Sequence, residues 1–363
     1  MDNTQDKLTD TQIMFLVISS IFGVTGLLLP RMAVEVAGVD SIITIIITGI
    51  ISLMLLRVMV KLSSKYPNKI IIEYARDILG SSLGNIYAFI FTIYLLSISG
   101  IVLRIFADTI KGIILPETPL EVIMITMLFT SMYLMLNGIS SLSKVCEIFM
   151  PIMILVSLIL IFLPLKKFNI EEIYPIFSMG IKPILKGIPK IFSAFIGLEM
   201  VLFITPFAKD ANNILRYSTV GLLIPTCLYT LLVSTTIGIF GIATTKFSLY
   251  PTLEIARSIN FPGAFAERFD IFFMFFWVLA SFSTLSCYFY MTALSVAKLA
   301  KLNYYKPFAL IIAPLIFLIA IVFPNLQEIF IYSQYIGYLG ISILFSNVIL
   351  YIVYLMRKRR HIQ

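Results

Sequence analysis

Residues 12–30 read QIMFLVISSIFGVTGLLLP, an apolar run of membrane-crossing length with Gly23-Val24-Thr25-Gly26 at its centre. Inside a bilayer every backbone N–H and C=O has to be bonded within the protein. A glycine-rich interruption at mid-depth is therefore tolerated where it lines a protein cavity. Glycines also let neighbouring helices approach closely, so packing alone is a second reading of the same residues. The chain carries a weaker counterpart further on, Ala194-Phe195-Ile196-Gly197-Leu198-Glu199, inside the run 184–207. Each interruption is followed by a proline, in GLLLPRMA (26–33) and VLFITPFA (201–208). Interrupted spans at matching places in two halves of a chain point to an inverted-repeat transporter, with its site at the breaks.

The whole chain supports a membrane reading. Of its 363 residues 60% are hydrophobic and only 13% charged, with a mean hydropathy of +1.00. A water-facing domain carries charge on about a quarter of its residues. Apolar runs bounded by polar breaks fall at 12–30, 38–60, 83–110, 120–136, 148–165, 184–207, 217–243, 271–299, 308–323 and 329–356. This predicts an all-α integral membrane fold of about ten transmembrane helices, organised as one polytopic domain over 1–363. Its five-plus-five inverted repeat places the first repeat at 1–165 and the second at 184–356, with a basic cytoplasmic tail at 357–363. No basic n-region and small-residue cleavage site precede the first run.

Lys61, Lys65, Lys69, Arg76, Lys144, Lys209, Arg216, Lys298, Lys301, Lys306 and the tail from Arg357 to Arg360 share one side. The positive-inside rule then puts both termini inside, against one dissenting connector that holds Lys166, Lys167, Lys182, Lys186 and Lys190. The net charge of +8 is accounted for by topology and contact with anionic lipid, not by nucleic acid. Between the second and third spans, Ile71, Tyr74, Ala75, Ile78 and Leu79 share a helical face, as in an amphipathic helix lying on the inner membrane surface. The stretch 249–270 reads as short helices broken at Pro251 and Pro262, capping the outer face.

Catalytic chemistry finds no purchase. His361 is the only histidine, no cofactor motif occurs, and Cys146, Cys227 and Cys287 have neither pairing nor metal-ligand spacing, which leaves them as small packing residues.

Four groups of polar residues break the apolar pattern. Thr25 sits within the first interruption. Glu199 lies near the centre of the sixth run, where an ionised carboxylate facing lipid costs several kcal/mol. It must face inward, be paired or be protonated, either as a ligand or proton group or as a structural hydrogen-bonder. Ser281, Thr284 and Tyr288 recur at three and four residues and share a face of the eighth run, either as back-bonded hydroxyls or as a ligand-binding stripe. Arg104 and Asp108, four apart in the third run, make an intrahelical ion pair or a gate over the site.

Five stretches together resemble the spore-germination permease family, the B subunits of the nutrient (germinant) receptors of endospore-forming bacteria. They are LPRMAVEVAGVD (29–40), KYPNKIIIEYARDILG (65–80), YPIFSMGIKPILKG (174–187), GLEMVLFITPF (197–207) and YPTLEIARSINFPGAFAERFD (250–270). Ser41 departs from the tryptophan common in that family. The resemblance implies a fold similar to amino-acid/polyamine/organocation transporters (LeuT-like), with a pocket between helices one, three, six and eight. By position it implies Gly23, Gly26, Tyr94, Ile98, Ile196, Thr284 and Tyr288 as pocket residues; Thr25, Phe195, Glu199 and Ser281 join them from the residue pattern. It further implies a small nutrient such as an amino acid as ligand, a membrane-embedded A subunit and a lipoprotein C subunit as partners, and the inner membrane of the spore as location. The alternative is a proton- or cation-coupled amino-acid permease. Permeases of similar fold often carry a lysine inside the fifth span, whereas here no ionisable residue falls between Glu147 and Lys166.

Overall fold

The computed structural model describes residues 7–175, 177, 180–259 and 268–360, so Pro262 and His361 lie outside the described residues. The chain is helical nearly throughout. It opens with α1 (Asp10–Ile21), which starts at a capping box: Gln12 N–H donates to the Thr9 hydroxyl, and Thr9 N–H donates to the Gln12 side chain. After a break at Phe22–Val24 the span resumes as α2 (Thr25–Ala37), and a short 3-10 turn leads into α3 (Ser41–Ser63). The amphipathic α4 (Ile71–Leu79) precedes the long α5 (Ser81–Ile113), then α6 (Leu120–Leu136) and α7 (Gly138–Phe162).

The sixth span is broken more severely than the first. α8 (Ile181–Phe192) ends in a 3-10 turn. Gly197 then takes a left-handed φ of 113°, and the chain continues through another 3-10 turn, the single-turn α9 (Val201–Ile204) and a third 3-10 turn. The two halves are bent by 49°. The rest comprises α10 (Ile214–Phe247), α11 (Pro251–Ser258), α12 (Phe269–Leu299), α13 (Ala309–Ile321) and α14 (Leu326–Arg360).

Among the described residues, six helical stretches are long and apolar enough to cross a bilayer, the bent sixth span is a seventh, and Asp10–Ile21, Leu120–Leu136 and Lys306–Ile321 are shorter apolar helices. One of the six, Thr25–Ser63, joins the second half of the first span to the second. The surface fits the same reading. Met54, Phe129, Phe275 and Leu310 are more than half exposed, while Ser41, Thr48, Ser283, Thr236 and Glu199 are buried. That inside-out distribution needs lipid around it. The chain is a multi-pass membrane protein.

At the centre, α1 packs against α7, α10 and α12, and α12 also against α5 and α6. The first and sixth spans are tied at two levels. Leu8 N–H donates to Phe207 O (2.8 Å) and Lys209 N–H donates to Leu8 O (3.0 Å) at one end. At the breaks, the Ser20 hydroxyl donates to Gly197 O (2.9 Å).

The helix expected at 71–79 is present, but its apolar face does not lie on lipid. Ile71, Ile72, Tyr74, Ala75 and Ile78 are buried against the bundle, and α4 packs on α5, α12 and α14. Arg76 donates to the carbonyls of Lys298 and Leu299 (3.0 Å each) at the end of α12. A guanidinium on the last carbonyls of a helix satisfies acceptors that have no intrahelical donor.

Candidate functional site

Breaking a helix frees carbonyls, and in the first span three of them are met by hydroxyls from other elements. Thr284 of α12 donates to Ser19 O (2.6 Å), and Tyr229 of α10 donates to Ile21 O (3.0 Å). Pro30 lacks the N–H that would bond Gly26 O four residues back; Thr252 of α11 donates there instead, at 2.9 Å. The interruption is thus built into the tertiary structure from three sides. The donors are different: α2 begins at Thr25 with no side-chain cap, and of its first-turn N–H groups only Leu27 finds a backbone acceptor, Val24 O at a long 3.4 Å.

The two breaks interlock. A Cβ on Gly197 would lie 2.2 Å from Ser20 O, and one on Gly23 would lie 2.1 Å from the Thr284 hydroxyl. Both positions therefore require glycine for close approach, and Gly197 also for its left-handed φ.

Beside the first break lies a cavity of about 100 Å³. A single water needs about 10–15 Å³ by the same measure, so the space suits a small molecule or part of one. Its polar wall holds Ser20, Thr25, Thr284 and Tyr288; its apolar wall holds Ile98, Ile101, Val102 and Ile196. Among the described residues no charged side chain lines it. Six of the residues expected from sequence, Gly23, Thr25, Ile98, Ile196, Thr284 and Tyr288, are brought together here.

The other expected residues are placed elsewhere. Gly26 faces a neighbouring void of about 10 Å³ with Trp277. Phe195 packs edge-on against Tyr229, ring centroids 5.9 Å apart. Ser281 is buried with no hydrogen-bond partner among the described residues. Glu199 is fully buried with both oxygens engaged: Tyr94 O–H donates to one (2.8 Å) and Gly197 N–H to the other (2.9 Å). Its carboxylate therefore fixes the left-handed corner of the sixth span and ties it to α5, and neither it nor Tyr94 lines the cavity. Arg104 and Asp108 make the expected ion pair (2.6 Å), and Arg104 also donates to Ala320 O of α13 (2.9 Å).

Among the lining residues that sequence reasoning missed are Ser20, Ile101 and Val102, Ser193 after α8, and Phe330 and Ser333 of α14. Ser333 bonds back to Phe330 O (2.8 Å), so in sequence it is indistinguishable from any hydroxyl within an apolar helix.

The profile of the family described as spore germination protein matches residues 7–329. Relatives of matching length include spore germination protein A2 of Bacillus subtilis (strain 168), 27% identical over 354 residues with 97% of each chain covered. Spore germination protein YndE of the same organism is 25% identical with 99% of each covered. Spore germination protein B2 is 24% identical, covering 93% of this chain and 92% of the relative.

Among solved structures, MhsT in complex with L-phenylalanine superposes with a TM-score of 0.68 at 13% identity, over 92% of this chain and 87% of that one. Mhp1, a nucleobase-cation-symport-1 family transporter in a closed conformation with bromovinylhydantoin bound, gives 0.72 at 14% identity, over 97% and 79%. At such identities these two speak for the fold alone, and it is the LeuT-like all-α membrane fold that the family resemblance implies. The chain belongs to the spore germination protein family.

Proposed function

We propose that this chain is the nutrient-binding B subunit of a germinant receptor, using a transporter fold to recognise a small amino-acid-like molecule and to bias a conformational equilibrium that partner subunits read. The observation that carries the reading is the cavity at the first break, where an uncapped helix start and the hydroxyls of Ser20, Thr25, Thr284 and Tyr288 meet an apolar wall. The nutrient's carboxylate is received by the first-turn N–H groups of α2, where the helix dipole favours an anion. Its ammonium group faces carbonyls around the two breaks and the hydroxyls of Thr284 and Tyr288. Its side chain lies against Ile98 and Ile196.

Glu199 acts indirectly. By holding Gly197 against Ser20 it sets the distance between the two breaks, and closure of the first and sixth spans on α5 and α12 is the movement passed on. The division into repeats at 1–165 and 184–356 gives that movement its two halves. A membrane-embedded A subunit and a lipoprotein C subunit are the partners, in the inner membrane of the spore, with both termini inside. A working amino-acid permease is the second reading, favoured by the transporter fold. It is disfavoured by the absence of any ionisable residue between Glu147 and Lys166, the part of α7 behind the first break.

The test is a thermal-shift titration of the purified chain with a panel of amino acids and other small nutrients. The proposal expects a saturable rise in midpoint with at least one uncharged amino acid, lost on Thr284→Val. A panel without any response, or a response untouched by Thr284→Val, contradicts it.

A further inference from the structure

A second cavity, of about 680 Å³, opens at the end of the bundle that carries α4 and the last turn of α12. Its wall includes Asn137, Gly138, Ile139 and Ser140, the start of the 25-residue α7. That start has no side-chain cap, and as first-turn donors the N–H groups of Gly138, Ile139 and Ser140 have no intrahelical acceptor.

Three further groups converge on the same space. Tyr290 lines the cavity while only 1% exposed, and its hydroxyl has no hydrogen-bond partner among the described residues. Its ring is held edge-on by Tyr305, with centroids 5.3 Å apart. Lys298 is neutralised by Glu73 (3.1 Å) and also donates to Asn303 (3.1 Å). Lys306, also on the wall, makes no ion pair among the described residues. The charges in the cavity thus sum to one unmatched cation, beside a helix start and a buried hydroxyl that both seek an acceptor.

We infer that this cavity is a binding site for a phosphate group, distinct from the nutrient cavity. A tetrahedral phosphate offers several acceptor oxygens at once. The first-turn N–H groups of α7 supply donors and a favourable dipole, Lys306 supplies charge, and the Tyr290 hydroxyl supplies a third direction of hydrogen bonding. The apolar part of the wall, Ile70, Phe207 and Leu294, suits the first methylenes of the acyl chains of a phospholipid whose phosphate sits at the donors. Basic pockets between membrane helices are the usual place for such headgroups. The same phosphate chemistry in free form is inorganic phosphate.

The experiment titrates the purified full chain in an uncharged detergent with dihexanoyl-phosphatidylglycerol, dihexanoyl-phosphatidylcholine and inorganic phosphate. Binding is followed by calorimetry for the unaltered protein, Lys306→Gln and Tyr290→Phe. Saturable binding of phosphatidylglycerol but not phosphatidylcholine, about ten-fold weaker in each variant as the loss of one charge-assisted hydrogen bond requires, supports the site with lipid as its source. Binding of inorganic phosphate with the same dependence on both residues supports it with the free anion as source. No saturable binding of either phosphate, or binding that neither substitution weakens, overturns it. Lys306 is exposed, so its variant is expected to fold normally, and the readout requires no nutrient response.

Discussion

Gly197→Ala is the substitution that most sharply tests how the two broken spans fit together. The added methyl would lie 2.2 Å from Ser20 O, 2.5 Å from Ser20 C and 2.9 Å from Ile21 N, all backbone atoms of the first span, and the residue would still have to hold a φ of 113°. An L-residue in left-handed backbone costs about 1–2 kcal/mol. Overpacking against a fixed neighbour adds about 1–3 kcal/mol, for a total of about 2–5 kcal/mol.

Two other glycines separate these contributions. Gly80 has a φ of 89° with nothing within 4 Å of its added Cβ, so Gly80→Ala should lose only the backbone part, about 1–2 kcal/mol. Gly112 lies in α5 at ordinary φ with open space around it, so Gly112→Ala should gain about 0.5–1 kcal/mol of helix propensity. Equilibrium unfolding of the purified variants in mixed micelles should rank Gly112→Ala above the unaltered chain, then Gly80→Ala, then Gly197→Ala. If Gly197→Ala unfolds together with Gly80→Ala, the contact of Gly197 with Ser20 contributes nothing and the interlock is wrong.

Other outcomes follow from the same geometry. Glu199→Gln keeps one acceptor for Gly197 N–H and a polar partner for Tyr94, so it should lose about 1–2 kcal/mol, whereas Glu199→Ala leaves both donors buried and unpaired and should lose more, about 2–5 kcal/mol; the same unfolding assay reads the difference. Thr284→Val removes the donor to Ser19 O and should lower stability by about 1–2 kcal/mol while abolishing the nutrient-dependent thermal shift. Arg104→Leu strands Asp108 in a partly buried site and should destabilise by about 3–5 kcal/mol; a midpoint unchanged from the parent contradicts the structural role of the pair. Ile98→Phe drives a larger side chain into a cavity of about 100 Å³ and should eliminate nutrient binding at a stability loss of about 1–3 kcal/mol, read by calorimetry.

Much of this architecture is written locally in the chain. The interruption at Gly23–Gly26, its counterpart at Gly197 and the helical period of residues 71–79 are all visible without coordinates, because glycine at membrane depth and apolar spacing are properties of short stretches. What the stretches do not carry is the identity of their partners. The face shared by Tyr74 and Ile78 was recognisable, but a period of 3.6 residues says nothing about whether that face meets lipid or another helix. The sixth span looked like the milder break. Its severity comes from Gly197 resting on Ser20, across 177 positions of sequence.

Glu199 illustrates the same limit from the site's side. Its depth in the span marked it as an inward-facing group, and it is one. Yet whether its oxygens meet a ligand or the protein depends on Tyr94 and on the corner at Gly197, which are settled only by the fold. Thr284 and Tyr288 lay on one face of the eighth run and do line the cavity, whereas Ser281 on the same face falls just outside it, one turn away. Ser333 shows the converse, a cavity residue hidden among hydroxyls that bond their own helix.

The most direct test of the central claim, that a transporter fold here senses a nutrient, is uptake by liposomes containing the purified chain alone. Labelled amino acids would be supplied with an imposed proton or sodium gradient, and equilibrium binding measured on the same preparation. The account predicts saturable binding that Thr284→Val abolishes, with no accumulation driven by either gradient. Concentrative uptake that collapses with the gradient would contradict it and establish the chain as a working permease.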